Sequence, residues 1–567
     1  MANFRKTLVF AAIAFAVTFA VFLPSVKFWF ISLDDPDYVI WNEHMRRGLT
    51  AENVKWAFTS QGYAANWHPL CWLSLMADVN LVGGHRISDA DWSCPWNRVA
   101  KGMHLHNVFL HSANAALLFL LMLLLSAKCA VRSAKNHPSS LFPLTTSLIL
   151  TLLWSLHPLR VEVACWVAER KELLSVFWML LTLIFYCGAD GTLPRLSRRP
   201  RRYGWALSLF TYALALLAKP VAVSLPAVIF AWDWVFGGRI RWCRFLPFAA
   251  LSVFTSIMTL GAQTEAIDCG TNGGVAPRLA AIFGSPLVYI RQTIWPSGLS
   301  AAYAVNETIN WPLVLAGVAL VLAIVVVCIL WLVWRIRFSA LRIPHSALDY
   351  LVFGIAWVYV GLIPMLGIVK VGWQEHSDRY TYWVGCGVCA VVAMILSEKG
   401  REWWNALVRW VEKVDQRPFD RVKARRFILC SCFALVAILA VATVQRMEVW
   451  RTPIAYVRDA IPKSWNLDFV DLAVVMLKGG DRECVKEAEY WLRQCAVNRP
   501  GVASNLKLAK FLIEQKSFPE AESILREVLE LDPSNKEAKE MLEGRGKRKE
   551  GREKSAECKV RSVEGVE

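Results

Sequence analysis

Apolar runs long enough to cross a membrane recur along most of the chain and then stop. The first is LVFAAIAFAVTFAVFLPSVKFWF, and others begin near Val108, Leu141, Leu173, Trp205, Val221, Phe245, Trp311, Leu351, Tyr380 and Phe427. At about 20 residues per crossing they predict an all-α, multi-pass transmembrane domain of about eleven spans over residues 1–446. The first run ends in Lys27, Phe28, Trp29 and Phe30 with no small-residue cleavage site, so it reads as a retained span and not a signal peptide. Beyond residue 446 the pattern changes to a linker helix over 447–466 and about two helix-pair repeats over 467–540. In the second repeat Leu508, Ala509, Leu512, Ala521, Leu525, Val528 and Pro533 fall at tetratricopeptide spacing. Leu472, Ala473, Ala488, Leu492 and Pro500 form a weaker first copy, and 541–567 reads as a charged, disordered tail.

Composition agrees with a membrane body: of 567 residues, 56% are hydrophobic and 19% charged, with 27 Trp and 28 Phe. The net charge of +17 would suit nucleic acid, but the positions of the basic residues assign it to topology instead. They gather in every second connection: Arg5 and Lys6, then Lys128, Arg132 and Lys135, then Arg195 to Arg202, Arg239 to Arg244, Arg335 to Arg342, and Lys399 to Arg426. Lys and Arg are retained on the cytoplasmic side, so the N-terminus is expected there. The first long loop, 31–106, and the C-terminal repeats are then expected on the extracytoplasmic face. A bacterial inner membrane is the expected location. The 15 Cys are mostly scattered and read as packing residues.

The ionisable residues that topology leaves unexplained fall in the other connections. The first loop opens SLDDPDYVIWNEH, with Asp34, Asp35 and Asp37 immediately after a span, where a carboxylate is costly unless solvated or paired. A water-facing turn is the plainer reading of Asp-Asp-Pro-Asp. NWHPL brings His68, and MHLHNVFLH brings His104, His106 and His111. SLHPLRVEVACWVAERKELL places His157, Arg160, Glu162, Glu169, Arg170, Lys171 and Glu172 between two apolar runs, against the positive-inside preference. Lys219 stands alone in LLAKPVAVSLP, where a snorkelling lysine is the alternative. The last such connection holds Lys370, Glu375, His376, Asp378, Arg379 and Tyr380. Carboxylates and cations on one face suit a group transfer in which cations hold a lipid phosphate and a carboxylate deprotonates a hydroxyl. No Walker or Rossmann motif seats a nucleotide, so the donor is expected to arrive in the membrane.

The segments LDDPDYVIWNEHMRRGLTAENVKWAFTS, ANWHPLCWLSLMADVNLVGG, SLHPLRVEVACWVAERKELL, AKPVAVSLP and QEHSDRYTYW resemble the bacterial relatives of the TMTC family. These are tetratricopeptide-bearing proteins of the protein O-mannosyltransferase-like GT-C superfamily. The resemblance implies a GT-C fold, a polyprenyl- or dolichyl-phosphate sugar donor and transfer to hydroxyl groups of proteins on the outer face. It also implies that the acidic pair, here Asp34 and Asp35, is catalytic. Arg170, Lys171, Lys219 and Arg379 are the candidates for the donor phosphate. His68, His157, Glu169, His376, Asp378 and Tyr380 are secondary polar contacts. No metal ligands are assigned and no cofactor is required beyond the lipid-linked sugar, with a divalent ion left open. The repeats would take an acceptor protein, and no nucleic acid is expected. Two other readings stand beside this one: a membrane-anchored tetratricopeptide scaffold, and a lipid-linked-glycan carrier, which the scarcity of mid-span charges disfavours. Arg86–Lys101 is an insertion relative to the family pattern.

Overall fold

The computed structural model describes residues 2–31, 33–60, 62–82, 94–132, 142–189, 201–237, 242–263, 275–303, 309–337, 347–367, 374, 376–415, 420–460, 501–542 and scattered positions between 486 and 497. Among them the chain is all-α, in two compact units, Met1–Tyr456 and Val457–Glu567.

The first unit is a multi-pass membrane domain. Eight described helices are long and apolar enough to cross a bilayer. The pair Phe142–Ser155 and Pro158–Cys165, bent by 62° at its break, is long and apolar enough together to make a ninth. The expected spans near Trp205 and Val221 are shorter apolar helices, Tyr203–Ala218 and Pro220–Phe236, because Lys219 and Pro220 interrupt the run. Val275–Ile294, which apolar length alone did not mark, is a 20-residue helix carrying Pro286 and Arg291.

Six helices carry the argument that follows: α1 (Ala2–Phe22), α2 (Pro69–Leu81), α3 (Cys94–Arg132), α4 (Arg170–Ala189), α5 (Arg201–Ala218) and α6 (Thr381–Asp415). Residues 94–101 of the expected insertion are the first turns of α3, and 86–93 lie outside the described residues. Helix α4 packs on α3 and α5, and α1 on α3. Leu118, Met122, Leu173, Leu180, Tyr212 and Trp357 belong to the buried core between them and the later helices. Away from it, Leu315, Leu322, Val326 and Leu330 of Trp311–Arg337 are exposed, as a lipid-facing surface requires.

Small residues allow the close crossings. A Cβ at Gly387 of α6 would sit 2.6 Å from Cγ of Trp357, and one at Gly317 would run into the carbonyl of Phe283. Gly387 lies inside Cys386-Gly-Val-Cys389, a CxxC spacing within a membrane helix. Both thiols are taken by backbone carbonyls, of Tyr382 and Leu150, each at 3.6 Å.

The first unit runs past residue 446 into the segment expected as a linker. Trp450 is buried against Trp166, with ring centroids 5.8 Å apart, and against Tyr456 at 5.4 Å. The Trp29 amide donates to the carbonyl of Arg451 at 3.1 Å.

In the second unit, Val502–Glu514 and Phe518–Leu531 form a helix pair closed over Leu506, Ala509, Leu525, Val528 and Ala538. These residues overlap the stripe expected for the second repeat. Leu472, Ala473, Ala488 and Pro500 of the first copy, and 543–567 of the tail, lie outside the described residues.

Replacing Gly387 by Leu forces the side chain into Trp357, an overpacking worth about 1–3 kcal/mol. A thermal-shift measurement on the detergent-solubilised protein should show a melting midpoint several degrees lower. An unchanged midpoint would contradict the packing described.

Candidate functional site

The site is assembled where helices end or break. After α1 come a short 3-10 turn, Leu23–Lys27, an irregular segment through Phe30 and Ile31, a turn at Leu33 and Asp34, and then a short π-helical turn, Pro36–Ile40, that Asp35 precedes. Asp35 is fully buried, and its two carboxylate oxygens accept backbone N–H bonds from Ile31 and Ala168, each at 2.8 Å. It thereby ties the start of the loop to the turn Val167–Glu169 that precedes α4. Burial pushes its pKa up to about 7, with the two backbone bonds and Lys171 opposing and Asp34 reinforcing the rise.

Asp34 is placed differently. Its side chain is 42% exposed and pairs with Nζ of Lys171 at 3.1 Å. Lys171 is itself buried. It also donates to the Tyr38 hydroxyl at 3.2 Å, lies 3.5 Å from Glu169, and sits over the Tyr38 ring at 4.7 Å. Its neighbour Arg170 is committed elsewhere, since consecutive residues of a helix project about 100° apart. The Arg170 guanidinium meets Asp78 of α2 at 2.9 Å, Ser74 at 2.9 Å, the Met103 carbonyl at 2.7 Å and His106 at 2.8 Å, and bonds Asn107.

Glu169 is the hub. Lys219, at the break after α5, reaches it at 3.0 Å and Glu172 at 2.8 Å. Nε of Arg379 lies 3.6 Å from Glu169, while its Nη1 pairs with Glu162 at 2.5 Å. Glu162 is held in turn by Ser377 Oγ and the Arg379 amide, both at 2.8 Å. The backbone between Ser155 and Arg170 is a series of short helical segments separated by breaks, Pro158–Arg160, Val161–Cys165 and Val167–Glu169, tolerated because it is buried in protein.

The remaining expected residues divide. His68, which precedes Pro69 of α2, is buried between Tyr38 and Trp72, at 5.3 and 4.6 Å, and neither ring nitrogen has a hydrogen-bond partner among the described residues. Burial, helped by Lys171 and Lys219, holds its pKa well below the ordinary value, so it is a neutral imidazole. His157 uses both nitrogens on backbone, accepting from the Leu159 amide at 3.2 Å and bonding the Thr293 carbonyl at 3.1 Å. Asp378 accepts from the Tyr303 hydroxyl at 2.8 Å, and His376 stacks on the Tyr303 ring at 4.1 Å. Tyr380 faces the Arg379 guanidinium at 5.0 Å. Lys370 and Glu375 lie outside the described residues. Tyr38, which the sequence reading did not select, and Glu162, which it named in the charged connection without assigning it to the site, are as close to the network as the residues it did assign. Tyr38 lies one helical turn beyond Asp34, which is the signal that would have found it.

Fold and site define an all-α, multi-pass membrane protein whose helix breaks enclose an ionic network opening at Asp34. The chain is similar to the human "Protein O-mannosyl-transferase TMTC4", 23% identical over 291 residues, which is 49% of this chain and 37% of that protein. It is also similar to the mouse protein of the same name, 24% identical over 279 residues, 47% of this chain and 36% of the relative. The chain thus matches a little over a third of the length of these curated relatives. No family model and no solved structure matches it.

Because Asp35 has a raised pKa, the folded state holds its proton more tightly than the unfolded chain does. Its contribution to stability is largest below the ordinary value of 3.8 and is lost as pH rises toward about 7. The stability margin of the native chain over an Asp35→Asn variant should therefore narrow across that window in thermal unfolding. A margin that widens would contradict the burial of this carboxylate.

Proposed function

We propose that the chain is a membrane glycosyltransferase that moves a mannose-like sugar from a polyprenyl-phosphate donor to Ser or Thr hydroxyls of proteins on the extracytoplasmic face, within a GT-C-like helical domain. The observation that carries the reading is a half-exposed carboxylate, Asp34, paired at 3.1 Å with a buried lysine of a larger cationic set. Similarity to proteins named as O-mannosyl-transferases supports it.

In the resting protein Lys171 is shared between Asp34 and Glu169. A donor phosphate entering beside Lys171, Lys219 and Arg379 draws Lys171 away from Asp34. The freed carboxylate then accepts the proton of the acceptor hydroxyl as its oxygen attacks the anomeric carbon from the face opposite the phosphate. The bond from the anomeric carbon to the phosphate oxygen breaks, and the electron pair leaves on the polyprenyl phosphate, whose charge the three cations neutralise. The configuration at the anomeric carbon inverts. Asp35 holds Asp34 in place through its two backbone bonds. Arg170, with its donors already taken, braces α2 instead of binding phosphate. The C-terminal helix pair presents acceptor protein in the manner of tetratricopeptide repeats. Counted from the basic connections, the N-terminus lies in the cytoplasm, and the network and the C-terminal unit lie outside.

The test uses purified protein in nanodiscs with a panel of polyprenyl-phosphate sugars and a Ser/Thr peptide acceptor. One donor should be consumed by the native chain. Asp34→Asn should lower its turnover by about 10²–10⁴-fold with little change in stability, the range for loss of a general base. Undiminished transfer by a folded Asp34→Asn variant would remove the base. Failure of every donor would favour the scaffold reading.

A further inference from the structure

Helix α6 is longer than a membrane is thick. Its 35 residues span about 52 Å at 1.5 Å per residue, against a hydrocarbon core of about 30 Å. The candidate span ends at Gly400, and the helix continues without a break to Asp415. This extension carries an apolar stripe that none of the described residues covers: Trp403, Leu407, Trp410 and Val414 are 52%, 46%, 61% and 66% exposed. Their spacing of four, three and four residues puts them on one face of the helix. The flanking face is occupied, since Val408 is fully buried and Trp404 lies 5.7 Å under the Arg425 guanidinium.

The surroundings of the stripe are basic. Arg409 and Lys413 are exposed beside it, Glu402 and Glu412 lie on the same helix, and at the start of the next helix Arg421, Lys423, Arg425 and Arg426 are exposed and outnumber Asp420, which pairs with Lys423 at 3.6 Å. Two tryptophans on an apolar face, basic residues beside them and direct continuity with a crossing helix are the properties of a segment at a membrane interface. We propose that residues 403–414 of α6 form a binding surface for anionic phospholipid, with the Trp403–Val414 stripe at the boundary of headgroups and acyl chains. The neighbouring arginines and lysines meet the lipid phosphates. Attraction of basic residues to an anionic surface makes the contact selective for charged lipid. The inference does not depend on the activity proposed above.

The test is photocrosslinking in the full chain, with p-benzoylphenylalanine replacing Trp410, an exposed position where another aromatic ring leaves the fold intact. The protein is reconstituted in nanodiscs of phosphatidylcholine alone or with one third phosphatidylglycerol, irradiated, and the peptide containing position 410 is weighed. A phospholipid adduct is expected. Its yield should be several-fold higher with phosphatidylglycerol and should exceed that from the same probe at Lys536, just beyond the C-terminal helix pair. Adducts to a second copy of the chain, an equal yield in both lipids, or a yield no higher than at Lys536 would each overturn the proposal.

Discussion

The structure depends on keeping a buried carboxylate, Glu169, charged among three cations at the edge of a membrane domain. An isolated ionised group taken out of water costs several kcal/mol, and an incomplete set of partners leaves that cost standing. Here Lys171, Lys219 and Arg379 come from three separate parts of the chain and meet on one side chain. None can be withdrawn without leaving charge uncompensated, so the helices that carry them are fixed relative to each other. The break at Lys219 and Pro220, the bent pair at His157 and the start of α6 all follow from this requirement. Continuous helices through those points would carry the cations past the hub.

The same constraint explains why the two adjacent aspartates differ. Asp35 spends both oxygens on backbone amides and is enclosed, so it serves geometry. Asp34 touches the network through one lysine and otherwise meets solvent, so it is the carboxylate a substrate can reach. A ligand that competes for Lys171 therefore changes the state of Asp34 directly. This coupling is what turns a stabilising network into the proposed reacting one.

Much of this was legible in the sequence. Apolar runs of crossing length marked all but one of the long helices, because hydrocarbon thickness dictates their length. The positions of His157, Lys219 and Arg379 at the ends of such runs marked the polar layer. What one-dimensional reading could not supply was direction. Arg170 and Lys171 are neighbours with the same charge, yet one braces Asp78 and the other faces Asp34, because each step along a helix turns the side chain by about 100°. Tyr38 was overlooked and Glu162 left unassigned for a related reason: their importance lies in partners more than one hundred residues away. Helix Val275–Ile294 escaped because Pro286, Arg291 and Gln292 dilute its apolar pattern.

The central claim is that the cations gathered on Glu169 bind the donor phosphate. Lys219 tests it most directly, since among the described residues its ammonium pairs with Glu169 and Glu172 in the resting network. Equilibrium binding of a radiolabelled polyprenyl phosphate to nanodisc-embedded protein should weaken by about 10-fold or more in a folded Lys219→Met variant, the loss expected for one charge-assisted contact. Equal affinity in the two proteins would contradict the account.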